Sequence, residues 1–198
     1  MWAAFALLAL VAAGGVAGLD TAVSRWLRTS DIDPGPGAQG TALLDLVTLT
    51  GISNFLLGAI LLLAAGMLMV LRSTRAVGWP LLYLALVQSL STVIADFAKP
   101  WFGRLRPHEV MADAGGADVW FQGANSFPSG HAAFYGGLFF PLVLLFPRLW
   151  PLWIAPPLFV AAARVLEQDH YMSDVAVSLA LAALLAATLW RVREIGGE

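Results

Sequence analysis

Residues 172–190 have the sequence MSDVAVSLALAALLAATLW and carry no charge after Asp174. The next charged residue is Arg191. A transmembrane helix needs about 20 consecutive apolar residues to cross the hydrocarbon core of a bilayer. Since backbone groups in lipid must satisfy their own hydrogen bonds, this stretch is expected to be a helix that spans a membrane.

Five further stretches are also free of charge, at 1–19, 46–71, 76–95, 119–147 and 149–163. Together with residues 172–190 they predict an all-α, polytopic membrane protein, a bundle of six transmembrane helices in a single membrane domain, 1–198. Between them we expect a polar loop at 31–40, a short interfacial helix at 41–52 and an active-site loop at 98–129. The six predicted spans are 2–19, 54–71, 78–97, 130–147, 149–166 and 172–190.

The composition supports this class. Of the 198 residues, 59% are apolar and 12% are charged, whereas about 25% are charged in a typical soluble domain. Such a chain is too hydrophobic to be disordered and has too few polar groups to cover a soluble core. The net charge of −2 gives no basic surface for nucleic acid. The absence of cysteine excludes disulfides and thiolate sites.

The charges are concentrated in clusters, of which two lie at 96–118 and 164–174. With six spans, these clusters fall in the third and fifth connections, which face the same side of the membrane. The connections on the other side are short and contain arginine but no acidic residue. The basic residues are nearly equal in number on the two sides, but once Lys99, Arg106 and Arg164 are set aside as functional the count is five against three. The positive-inside rule then favours a cytoplasmic C-terminus and an external charged face.

Three short segments in these connections contain candidate functional residues. Each segment alone has an ordinary explanation: basic side chains that reach toward the membrane surface, a helix capped by Ser129, or a structural hydrogen bond between His170 and Asp174. Together they place three cations and two histidines on one face beside a helix N-terminus, an arrangement suited to an oxyanion such as phosphate. The segments are KPWFGRLRP at 99–107, PSGH at 128–131 and RVLEQDHYMSD at 164–174.

The spacing of His170 and Asp174 would put both side chains on one face of a helix. A carboxylate that accepts from one ring nitrogen leaves the lone pair of the other nitrogen free for nucleophilic attack. A second histidine, His131, is a candidate general acid. A metal site built from these three residues is the alternative. We expect His108 to be a loop residue.

This pattern resembles the type 2 phosphatidic acid phosphatase and haloperoxidase superfamily, whose motifs are Lys-x6-Arg-Pro, Pro-Ser-Gly-His and Ser-Arg-x5-His-x3-Asp. One position departs from the family, since Ala163 stands where serine is usual. The resemblance implies that His170 forms a phosphohistidine, that Asp174 holds its ring and that His131 protonates the leaving group. It also implies a phosphate site without metal or cofactor, formed by Lys99, Arg106, Arg164, Ser129 and Gly130.

The expected function is an integral-membrane lipid phosphatase in a bacterial inner membrane, with its site facing the periplasm or exterior. Its substrate would be phosphatidic acid, phosphatidylglycerol phosphate or a polyprenyl diphosphate. A lipid phosphotransferase would use the same residues but pass the phosphoryl group to a lipid or sugar hydroxyl. A non-catalytic protein that binds or transports an anionic lipid is the other alternative. We expect most tryptophans, including Trp101 and Trp120, to lie in interfacial belts. The alternative for Trp101 and Trp120 is that they line the entry of a lipid headgroup.

Overall fold

The computed structural model describes residues 1–30, 53–110 and 118–196. Its regular elements are helices, and the described residues contain no strand. The all-α prediction is therefore confirmed for this part of the chain. The predicted loop at 31–40 and interfacial helix at 41–52 lie outside the described residues. In chain order the helices are α1 (Trp2–Gly14), α2 (Asp20–Thr29), α3 (Ser53–Val70), α4 (Arg75–Phe102), α5 (Gly130–Leu145), α6 (Trp150–Leu166) and α7 (Met172–Gly196).

Four helical stretches within the described residues are long and apolar enough to cross a membrane: Trp2–Thr29, Arg75–Glu109, Pro147–Leu166 and Met172–Ile195. The apolar parts of α3 and α5 fall slightly short of that length. The positions of all six predicted spans thus correspond to helices. The number of complete crossings stays a prediction.

Helix α4 differs from its predicted span of 78–97 at both ends, since it begins at Arg75 and ends at Phe102. It runs five residues further, to Phe102, although Pro100 lies in its last turn. Proline removes one hydrogen bond, and here the helix ends soon afterwards at Gly103. Gly103 adopts a left-handed conformation (φ 50°) and donates its N–H to the carbonyl of Lys99, which is a common way to end a helix. Lys99 therefore projects from a helix end.

Helix α7 is central to the bundle and packs against α1, α4, α5 and α6. Small residues allow these helices to approach closely. A Cβ atom added at Gly136 in α5 would lie 3.0 Å from the Cβ of Ala182 in α7. The buried core around this contact also includes Tyr83, Val87, Phe140 and Leu179. This packing fixes the ends of α4, α5, α6 and α7 relative to one another.

The N-terminal helical stretch is bent. A five-residue π-helical segment, Gly15–Leu19, joins α1 to α2, and Gly18 within it has a φ of 137°. Only glycine adopts this conformation readily. The bend lets α1 pack along α7, while α2 begins near the start of α7. Asp20, the first residue of α2, is buried at this junction.

Candidate active site

The segments that carry the three motifs meet at one end of the bundle. The N–H of His108 donates to the carbonyl of Gln168 at 3.1 Å, and the N–H of Ser129 donates to the carbonyl of Asp174 at 3.3 Å. The prediction that the clusters at 96–118 and 164–174 share a face is therefore confirmed for their described residues. Residues 111–117, in the middle of the predicted active-site loop, lie outside the described part.

The start of α5 forms one wall of the site. Ser129 is the N-cap, and its Oγ accepts from the N–H of Ala132 at 3.4 Å. Gly130 follows, and a Cβ atom added to it would lie 3.0 Å from Nζ of Lys99. The ammonium of Lys99, which pairs with Asp96, thus lies beside the positive end of the α5 dipole. Both features attract an anion.

The guanidinium groups of Arg106 and Arg164 converge on a single carboxylate. Oδ1 of Asp169 lies 3.4 Å from Nη1 of Arg106, and Oδ2 of the same side chain pairs with Arg164. Glu167 also pairs with Arg164, at 2.7 Å. Glu167 and Asp169 both pair with Arg164, in agreement with the sequence-based hypothesis that these acidic residues restrain it. An anion the size of a carboxylate can therefore contact both arginines at once.

His170 lies between α6 and α7, just before the first residue of α7. Its Nδ1 lies 2.7 Å from the carbonyl oxygen of Ser126. A carbonyl can only accept, so Nδ1 carries the proton and the lone pair lies on Nε2. Burial lowers the pKa of His170 from 6.5, and the nearby Asp174 carboxylate partly opposes this effect. The side chain is thus suited to act as a neutral nucleophile.

The relation between His170 and Asp174 differs from the one expected. The two residues do not share a helical face, because α7 begins at Met172 and His170 precedes it. Oδ2 of Asp174 lies 3.6 Å from Nδ1 of His170, beyond hydrogen-bond distance. The same Oδ2 accepts from Oγ of Ser126 at 2.5 Å and from the N–H of Tyr171 at 2.9 Å. Ser126 therefore contacts both members of the predicted dyad.

His131 is the second residue of α5. Its Nε2 is buried and has no hydrogen-bond partner among the described residues. The charged groups that act on it include Arg164 and Lys99, together with His170. A buried ring nitrogen without a partner is unusual. It has the placement that a donor to a bound substrate oxygen would need.

His108 lies in the short 3₁₀ turn Pro107–Glu109. Its Nδ1 is 2.9 Å from the carbonyl of Gln168 and 3.3 Å from Oδ1 of Asp169. This contact joins the first motif to the third, which fits the expectation of a loop residue.

Sequence reasoning missed Asp20, Arg104 and Ser126. Arg104 occupies one of the six unspecified positions of the first motif, and Asp20 follows an apolar run far from it in sequence. The guanidinium of Arg104 lies over the ring of Trp120, 4.3 Å from its centroid. The expectation that Trp120 belongs to an interfacial belt is not supported by this inward contact. The one sequence signal for Arg104 was its position two residues before Arg106, with Leu105 between them.

Comparison with known proteins places this geometry in a family. The model of the PAP2 superfamily matches residues 76–196, so the chain belongs to the PAP2 superfamily. The lipid A 1-phosphatase of Rhizobium johnstonii is 34% identical over 110 residues, which cover 54% of this chain and 45% of that protein. The lipid A 1-phosphatase of Rhizobium etli is 35% identical over 107 residues, which cover 52% and 46%. The chain thus matches less than half of the length of each relative.

The fold is also similar to a solved structure. The crystal structure of a transmembrane PAP2-type phosphatidylglycerolphosphate phosphatase from Bacillus subtilis aligns with a TM-score of 0.57. The alignment covers 97% of this chain and 94% of that chain, at 20% sequence identity. At this identity the match shows a shared fold. It agrees with the membrane helices of the described residues, so this is an integral membrane protein.

Proposed function

We propose that this protein is a membrane lipid phosphatase that hydrolyses a lipid phosphomonoester or diphosphate through a phosphohistidine. The observation that carries the proposal is the convergence of Arg106 and Arg164 on one carboxylate beside His170. A phosphate group has the same charge sign and similar oxygen spacing. In the substrate complex it would take the place of Asp169 between the two guanidinium groups.

In this mechanism Nε2 of His170 attacks phosphorus and the bond to the leaving oxygen breaks. The proton on Nδ1 stays on the ring, held by the carbonyl of Ser126. Protonated His131 donates a proton to the leaving oxygen and becomes neutral. Water then attacks phosphorus and gives a proton to His131, and the bond between phosphorus and Nε2 of His170 breaks to release phosphate. Lys99, Arg106 and Arg164 neutralise the charge on the phosphoryl oxygens, as phosphoryl transfer requires.

The N–H groups at Ser129 and Gly130 are proposed to complete the phosphate site. Gly130 matters because its missing side chain leaves room between the start of α5 and Lys99. Asp174 is proposed to act on His170 through its charge and through Ser126. We propose that these residues bind phosphate without a metal or cofactor.

The substrate classes proposed are phosphatidic acid, phosphatidylglycerol phosphate, polyprenyl diphosphates and, from the names of the two relatives, lipid A 1-phosphate. All four present phosphate at a membrane surface. A site at the end of a helical bundle suits such substrates, because the acyl or prenyl chain can stay in lipid while the phosphate enters.

The test is a phosphate-release panel over these four lipids with full-length protein purified in detergent. The His170→Ala variant should release no phosphate above background. The matched control is His108→Ala, which removes a histidine from the same face and should keep most of the activity. Phosphate release that survives His170→Ala would contradict the proposal.

The same assay distinguishes the alternative functions. Phosphate transferred to an added alcohol without release would favour the phosphotransferase, and lipid binding without turnover would favour a binding protein. Loss of activity with a chelator would indicate a metal site.

We also propose that the site faces the periplasm or exterior of a bacterial inner membrane. The connections at the opposite end of the bundle carry Arg72, Arg75 and Arg148 and no acidic residue, which supports a cytoplasmic location for that end. Since the chain has no cysteine, single cysteines can be introduced at Asp118 and Arg148. A membrane-impermeant thiol reagent added to intact cells should label the first and not the second. The reverse pattern would invert the orientation.

A further inference from the structure

Arg104 makes a dense set of contacts next to the proposed dyad. Its side chain is 3% exposed. Nη1 donates to Oγ of Ser173 at 2.7 Å and pairs with Oδ1 of Asp174, while Nη2 donates to Oδ2 of Asp20 at 2.8 Å. One guanidinium thus joins two buried carboxylates that are far apart in sequence.

Two aromatic rings lie against this guanidinium. Its Cζ lies 4.0 Å from the ring centroid of Tyr171 and 4.3 Å from that of Trp120. Planar stacking and a fork of donors are properties of arginine that lysine lacks. The position is therefore built for arginine, and rotation of the group is restricted.

Asp20 anchors the far side of Arg104. Its Oδ1 accepts from the N–H of Ser173 at 2.9 Å. A Cβ atom added at Gly15 would lie 2.8 Å from Cβ of Ser173, so the N-terminal helical stretch is pressed against the start of α7. Asp20 lies outside residues 76–196, the part that matches the family model. The N-terminal helices therefore contribute a charged residue to this network.

The other end of the network is Asp174, whose side chain is fully buried. A buried carboxylate that loses its cationic partner is strongly destabilised. Its second oxygen holds Ser126, whose carbonyl in turn fixes His170. Asp174 therefore affects His170 in two ways. It positions the ring through the hydrogen bonds of Ser126, and its charge acts on Nδ1 of His170 over a distance of 3.6 Å.

We propose that Arg104, anchored by Asp20, is a positioning residue for the dyad: it neutralises and orients Asp174, so that His170 stays unprotonated and aligned for attack. The functional consequence rests on the proposed phosphatase activity. Without Arg104, the full negative charge of Asp174 would favour the imidazolium, which has no lone pair for phosphorus. The other titratable or charged groups around His170 are Arg106, Arg164, Asp169 and His131.

The experiment compares Arg104→Gln, Arg104→Lys and Asp20→Asn in full-length protein. The chain has three histidines, so NMR of ¹⁵N-histidine-labelled protein in detergent can follow the pKa of His170 even without turnover. Arg104→Gln should raise this pKa by roughly one unit, because a nearby compensating charge is lost. Arg104→Lys keeps the charge and should leave the pKa near that of the wild type. The matched control is Arg25→Gln, which removes an exposed arginine from the same end of the bundle.

Kinetics supply the second readout. In Arg104→Gln the acid limb of kcat/KM should move upward with the pKa of His170. Arg104→Lys should lower kcat about tenfold with KM unchanged, because one ammonium cannot hold both carboxylates. Asp20→Asn should act in the same direction as Arg104→Lys. Because Asp20→Asn preserves the shape of the side chain, this variant tests the positioning role of Arg104 if Arg104→Gln fails to fold.

A residue that merely supports the fold would lower the thermal midpoint and leave the His170 pKa and the kcat of folded protein unchanged. That result for Arg104→Gln, or for Asp20→Asn if Arg104→Gln does not fold, would overturn the proposal. A different outcome is that Arg104→Gln shifts the pKa of His170 while the wild-type protein releases no phosphate from any lipid. That outcome would refute the proposed function and support the placement of Arg104.

Discussion

Replacing Asp169 with Asn should tighten the binding of phosphate. In the structure this carboxylate occupies the place between Arg106 and Arg164 where the substrate phosphate is proposed to bind. A phosphate must first displace it. The side chain of Asp169 is 21% exposed and that of Arg164 is 8% exposed, so water weakens the pairs only in part. Asn keeps the shape and one acceptor oxygen but loses the charge.

The magnitude follows from the two ion pairs. Pairs with partial exposure are worth about 0.5–1 kcal/mol each, so their loss makes displacement easier by about 1.5 kcal/mol. Since 1.4 kcal/mol corresponds to a factor of ten, the inhibition constants of inorganic phosphate and vanadate should fall about tenfold.

The assay is inhibition of phosphate release in detergent, supported by direct calorimetric titration of phosphate. The matched control is Asp118→Asn. Asp118 is an acidic residue in the loop between α4 and α5, and its carboxylate accepts only from the nearby N–H of Trp120, at 3.0 Å, in the contacts observed. The constants for this control should stay within twofold of the wild type. If Asp169→Asn weakens phosphate binding, the carboxylate orients the arginines rather than competing with substrate, and our reasoning is refuted.

Three further predictions concern residues of the proposed site. Because burial lowers the pKa of His170 from 6.5, its neutral form persists below that pH, and the acid limb of kcat/KM should lie below pH 6.5; an acid limb above this value would contradict the assignment. Arg164→Lys should raise KM at least about tenfold, since one ammonium cannot replace a bidentate guanidinium, and an unchanged KM would remove Arg164 from the phosphate site. Gly130→Ala should raise KM several-fold, because its Cβ would lie 3.0 Å from Nζ of Lys99. The Gly66→Ala control, at a position with no atom within 4 Å of the added Cβ, should behave like the wild type.

The positions of the membrane helices could be predicted because charge is costly in lipid. The spans predicted from runs without charge therefore agree with α3, α5 and α6 to within about two residues at each end, and with the start of α7. The end of α4 could not be placed in this way. The predicted span ended at 97, beside the charged residues Asp96 and Lys99. The helix continues because the loss of one hydrogen bond at Pro100 is tolerated in a last turn, and Gly103 sets the actual end.

Lys99, Arg106 and Arg164 could be selected from the sequence as candidates, since they belong to short patterns of charge in an apolar chain, and their roles in phosphate binding stay a prediction. The partners that hold the site were not visible in this way. Asp20 and Arg104 are separated by 84 positions, and the contact depends on the bend near Gly18. No periodicity in the sequence shows that an aspartate at the end of an apolar run turns inward.

From the sequence, Asp174 alone was expected to fix the tautomer of His170 and to hold its ring. The contacts of Ser126 show that these two tasks belong to different groups. The tautomer of His170 is set by a main-chain carbonyl, which no side-chain substitution can remove. The carboxylate of Asp174 accepts from the hydroxyl of that same serine and pairs with Arg104. Its effects on His170 are therefore electrostatic and positional. Since Arg104 links the carboxylate to Asp20, the proposed nucleophile depends on the docking of the N-terminal helices as well as on the three motifs.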